Sequence, residues 1–77
     1  METIWTTPTQ NEHKYQFANI NNKKMLVFKS GFKIDEWGVG EILNYKAEAE
    51  NHEINIFKYV NSEEDAKTTA YEYAMKG

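Results

Sequence analysis

The stretch Lys14–Ser30 reads KYQFANINNKKMLVFKS, and its reading decides the fold. Strand formers run from Lys14 to Ile20 and again from Lys23 to Ser30, separated only by Asn21-Asn22. Asparagine tolerates the left-handed backbone that a two-residue hairpin turn demands. With that turn, Tyr15 and Phe17 fall opposite Phe28 and Leu26 on one face, while Gln16 and Ala18 meet Val27 and Met25 on the other. Both faces are partly apolar, which places this hairpin at the centre of a sheet.

Downstream, Ser30-Gly31 breaks the pattern and Phe32–Gly40 is ambiguous. Gly38-Val39-Gly40 is poor helix material, because an interior glycine costs about 1 kcal/mol against alanine, so it reads as a bend or bulge. Residues 41–50 admit two readings. Good helix formers in Lys46-Ala47-Glu48-Ala49-Glu50 suggest a helix from Asp35 to Glu50, but Lys46 would then sit within its apolar arc. As a strand the stretch alternates, with Leu43, Tyr45, Ala47 and Ala49 on one side. Asn51-His52 then turns the chain into a second strand through Val60, with expected pairs Ala49–Ile54, Ala47–Ile56 and Leu43–Val60. Periodicity outranks propensity for a half-buried element, so the hairpin is preferred. In this register Phe57 and Tyr59 lie away from Ile54 and Ile56, on the outer face of the sheet.

At the end of the chain, Asn61 or Ser62 caps a helix whose first turn holds Glu63, Glu64 and Asp65, where the helix dipole favours anions. Ala66, Ala70, Tyr73 and Ala74 recur at helical spacing and form a small-residue stripe. Working toward the start, Thr3–Thr7 offers a short edge strand before a turn at Pro8. The expected architecture is α+β: an antiparallel sheet of four to five strands (hairpins 14–30 and 41–60), with a C-terminal helix (62–76) on one face, in a single domain spanning 1–77.

Size and composition bound the function. A chain of 77 residues lies near the lower limit for an unstapled core, and eleven aromatic rings supply large buried areas per residue. There is no cysteine, which removes disulfides and thiolate metal sites and favours a reducing compartment. The first fifteen residues lack the apolar core of a signal peptide, and the longest apolar run, Met25-Leu26-Val27-Phe28, is far too short to span a bilayer. A cytoplasmic protein is expected.

The nine basic residues are all lysine, so no guanidinium fork exists for bidentate recognition of phosphate or guanine. Abundant Asn, Lys, Ile and Tyr match the codon bias of AT-rich genomes, such as those of many bacteriophages and mobile elements. Charge is unevenly spread. Residues 1–40 carry five lysines against four acids, a net of +1, and residues 41–77 carry four against eight, a net of −4.

Catalytic patterns are not evident. His13 and His52 lack a helical i, i+4 partner and read as turn residues. Ser30 and Ser62 stand outside any nucleophile-elbow pattern. Gly38-Val39-Gly40 lacks the following helix and lysine of a phosphate loop. No enzyme activity, cofactor or metal is expected.

Two binding readings follow. Lys23, Lys24, Lys29 and Lys33, interleaved with Phe28 and Phe32, resemble the lysine-and-aromatic platforms that bind nucleic acid. Four lysines in an acidic chain promise only weak, salt-sensitive affinity, and hairpin lysines also protect sheet edges. The preferred reading is a protein-binding module with no membrane partner, which inhibits or redirects a host protein. Acids such as Glu48, Glu50 and Glu53 would orient it on a basic cleft, and Phe57, Tyr59, Tyr71 and Met75 would supply contact area. Homodimerisation through the same aromatic face is a further expectation.

Overall fold

Asn21 and Asn22 both adopt left-handed backbone, with φ of 51° and 66°, and close the first hairpin as their residue type predicts. In a computed structural model, which describes residues 3–43 and 53–76, this hairpin joins β1 (Gln16–Ile20) to β2 (Lys23–Lys29). Its register is the expected one, with Phe17 opposite Leu26 and Ala18 opposite Met25. Asn21 also ties the turn to the end of the helix, through a side-chain amide that donates to the carbonyl of Ala74 at 2.9 Å. Beyond β2 come β3 (Trp37–Leu43), β4 (Glu53–Val60) and α1 (Glu63–Lys76). The four strands form one antiparallel sheet in the order β1-β2-β3-β4, and α1 packs across one face. The fold is α+β.

Only half of the first hairpin is central as expected: β1 is an edge strand, whereas β2 has apolar surface on both sides, so Met25, Leu26 and Val27 are consecutive and all buried. On the helix face, Ala66, Ala70 and Ala74 are fully buried against Ala18, Ile20, Met25, Val27 and Val39. Three methyl-sized side chains let the helix approach the sheet closely, and Trp5, Trp37, Val60 and Tyr73 close the margins.

Helix α1 starts where Ser62 stops extended backbone. Its hydroxyl accepts from the Asp65 amide at 3.1 Å and its carbonyl accepts from the Ala66 amide at 3.0 Å. Loss of such a cap removes a partner from an orphan amide. Ser62→Ala should therefore lower stability by about 1 kcal/mol, read as a fall in Tm of roughly 4–8 °C.

Two expectations are corrected. First, the second hairpin begins earlier than residue 41. Gly38-Val39-Gly40 lies inside β3, and Leu43 faces Glu53 rather than Val60, whose partner is Trp37. Ile54 faces Ile42 and Ile56 faces Gly40, in place of the expected Ala49 and Ala47. The proposed strand beyond Leu43, including Tyr45, Ala47 and Ala49, and the turn at His52 lie outside the described residues. Second, Thr3–Thr7 is not a ladder strand, although it runs along β1. The Thr6 amide donates to the Phe17 carbonyl at 2.9 Å, and the Phe17 amide donates to the Thr6 hydroxyl at 2.9 Å. The Thr6 and Thr9 hydroxyls, on either side of Pro8, accept from the Phe17 and Tyr15 amides in place of backbone carbonyls, and Pro8 itself cannot donate to a ladder.

The bulge expected near Gly38-Val39-Gly40 is present, but its extra residue lies on the partner strand. The register between β3 and β4 shifts at Val39/Gly40, where Val39 faces Lys58 and Gly40 faces Ile56, so Phe57 is the extra residue. Among the described residues no helix is long and apolar enough to cross a membrane.

Candidate interaction surfaces

Side-chain direction alternates along a strand, and one inserted residue reverses it. The bulge at Phe57 therefore splits the expected pair of rings: Phe57 still lies opposite Ile54 and Ile56, but those two face away from the helix, and Tyr59, beyond the bulge, joins them. Phe57 turns toward the helix and stacks on Tyr73, with centroids 4.1 Å apart and planes at 21°, and packs against the core. It does not share an outer face with Tyr59.

Tyr59 lies on the sheet face away from α1, together with Ile54 and Ile56. It pairs with Gly38 and meets the Phe28 ring edge-on at 6.3 Å, and Phe28 in turn contacts Tyr15 at 5.6 Å. One row of rings thus crosses the sheet. Gly38 makes it possible, because a Cβ there would lie 2.4 Å from the Phe28 ring. Tyr59 and Ile54 remain half exposed, at 51% and 53%.

Tyr71 and Met75 stand one helical turn apart on the exposed side of α1. Glu64 and Thr68 continue the same stripe, and Asp65 and Glu72 flank it. This is where apolar anchors and carboxylates coincide. Glu53 is exposed at the start of β4, on the sheet rather than on this stripe. Glu48 and Glu50 lie outside the described residues.

Two other acids have internal partners. The Tyr73 hydroxyl donates to Glu41 at 2.9 Å, and Lys23 Nζ lies 3.9 Å from the same carboxylate. The hydrogen bond to Glu41, with burial and the Glu41 charge adding to it, raises the Tyr73 pKa above 10.0. Gln16, itself buried, donates to Glu63 at 2.9 Å. That bond, followed by the Lys67 ammonium at 3.0 Å, holds the Glu63 carboxyl below its usual range.

The Tyr73 shift carries a pH prediction. The folded chain keeps a proton that the unfolded chain releases, so this contribution is whole below about pH 10 and fades as pH rises through the raised value. Tyr73→Phe keeps the ring on Phe57 and removes the titrating group. Wild-type Tm should therefore fall more steeply than that of the variant as pH rises from about 9.5 to about 11.5; parallel curves would refute the linkage.

The lysines do not converge. Lys23 faces the helix side toward Glu41, whereas Lys24 faces the other side, 5.8 Å from the Phe17 ring centroid. Lys29 ends the same strand, about 20 Å from Lys23 at roughly 3.3 Å per residue, and Lys33 sits in the next loop. The β2–β3 loop also holds two side chains that the sequence does not single out as a contact pair. Phe32 and Ile34 are 88% and 90% exposed. The available signal is a pair of bulky apolar residues enclosed by Gly31 and Asp35-Glu36, in a segment with no strand or helix period. Among the described residues no three His, Asp or Glu side chains are grouped to hold a metal ion. Comparison of the chain with protein-family models, with curated proteins and with solved structures finds no match.

Proposed function

We propose that this chain is a non-enzymatic protein-binding module that inhibits or redirects a target protein in the cytoplasm, as accessory proteins of phages and mobile elements do. The observation that carries the reading is the outer stripe of α1, where exposed Tyr71 and Met75 lie among Glu64, Asp65 and Glu72. Aromatic and methionine side chains supply contact area at interfaces, and carboxylates around them select a basic partner and speed its encounter. The fitting occupant is a protein cleft lined with lysine or arginine, of the kind that otherwise receives nucleic-acid phosphates. Direct nucleic-acid binding has less support, since Lys23, Lys24 and Lys29 are divided between two faces and two ends of the sheet.

The test is capture on the immobilised full chain from lysate of the source organism, with and without nuclease. One stoichiometric protein should survive nuclease, and the joint variant Tyr71→Ser/Met75→Ser should weaken its purified complex at least tenfold while preserving the circular dichroism spectrum. Affinity should also fall with salt. Recovery of nucleic acid, or only of proteins that vanish with nuclease, would overturn the reading. A chain that sediments as a dimer through this stripe would replace the foreign partner by a second copy.

A further inference from the structure

We infer that the β2–β3 loop is a preformed anchor, with Phe32 and Ile34 inserting into a recessed apolar pocket on a partner protein. This rests on the protein-binding reading but uses a different part of the molecule. The backbone is braced before anything binds. The Ser30 amide donates to the Glu36 carbonyl at 2.9 Å and the Ser30 hydroxyl to the Glu36 carboxylate at 2.8 Å. The Phe32 amide donates back to the same hydroxyl at 3.3 Å. Gly31 and Asp35 hold left-handed backbone, with φ of 83° and 64°, a conformation open to glycine and tolerated by aspartate, which turns the chain sharply at both ends of the tip.

The base of the loop is clamped from the N-terminal arm. The Lys29 amide donates to the His13 carbonyl at 2.6 Å, His13 Nδ1 lies 3.1 Å from the Lys29 carbonyl, and the His13 ring lies against Gly31. A loop ordered in advance loses little entropy on docking. This one presents its two largest apolar side chains almost entirely to water, whereas the core is closed by alanines.

Size and charge select the occupant. Two loop tips packed on each other would bury far less than the roughly 1,200 Å² of a stable pair, so a second copy is a poor fit. A chain of net charge −3, with Asp35 and Glu36 beside the single tip lysine, gains little from anionic headgroups. A convex knob with two apolar side chains fits a concave apolar pocket, the arrangement of interface hot spots.

The experiment places a benzophenone amino acid at position 32 of the full chain, and in a second protein at position 68. Both are irradiated in nuclease-treated lysate of the source organism. The expected result is one adduct through position 32, abolished by Ile34→Ser, retained in Tyr71→Ser/Met75→Ser, and joined to pocket-lining apolar residues of the captured protein. The purified partner should bind Phe32→Ser/Ile34→Ser at least 100-fold more weakly, with an unchanged circular dichroism spectrum. Adducts through position 68 alone would overturn the anchor while leaving protein binding intact. No protein adduct at either position would remove both. Tip-dependent sedimentation with vesicles of phosphatidylcholine and phosphatidylglycerol (3:1), or an adduct with a second copy, would also overturn it by assigning the tip a different occupant.

Discussion

Phe57→Ala is expected to lower the unfolding free energy by about 3 kcal/mol, which for a chain of this length moves Tm down by roughly 12–24 °C. The ring stacks on Tyr73 and packs on the core, so its removal leaves a void beneath the helix and strips Tyr73 of its neighbour. Small domains hold only about 0.05–0.15 kcal/mol per residue in total, so the loss is a large share of the whole. Tyr59→Ala, two positions along the same strand, removes a half-exposed ring and one edge contact with Phe28. About 1 kcal/mol is expected there. Urea unfolding of both variants checks the contrast, and equal losses would mean that the packing of Phe57 on Tyr73 and the core adds nothing beyond an exposed ring contact.

The second large effect belongs to Gly40. A Cβ at this position would lie 2.6 Å from Ile56 Cδ1 and 3.0 Å from the Asn55 carbonyl oxygen. The first contact is the end of a flexible side chain and can yield. The second is backbone, held by the β3–β4 ladder next to the bulge, and cannot. Gly40→Val should cost about 3 kcal/mol, at the upper end of ordinary overpacking. Pairing it with Ile56→Val, which deletes the Cδ1 methyl, should recover only part of that loss in a double-mutant cycle. Full recovery would locate the whole conflict in the side chain; no recovery would place it in the backbone.

Gly40 also shows why β3 is hard to read from sequence. Two glycines within four residues argue against a strand on propensity alone. In the fold each glycine has a large side chain laid across it, Phe28 over Gly38 and Ile56 against Gly40. The strand is stabilised by its neighbours, and neither neighbour is local in sequence. The stretch that alternates best, from Leu43 onward, draws the expected pairing away from Trp37–Leu43 for the same reason.

The binding surfaces divide similarly. Helical spacing alone puts Tyr71 and Met75 off the alanine stripe, and the structure leaves both exposed. Phe57 keeps its place opposite Ile54 and Ile56, but those two turn away from the helix, and Tyr59 is carried onto their side because strand parity counts residues and a single bulge changes the count. Phe32 and Ile34 carry no such signal, because a segment without a period reveals nothing of which side chains stay in water.

The sequence by itself determined the elements whose causes are local. Asn21-Asn22 sets a left-handed turn through its own backbone preferences, Ser62 caps the helix within its first turn, and three alanines mark the helix face that must approach a sheet. Only the tertiary structure decided which strand β4 pairs with, which face receives Phe57 and which apolar residues remain exposed. Those outcomes depend on backbone register and on side chains brought together from distant positions, and register is an energy shared between strands rather than a property of either one.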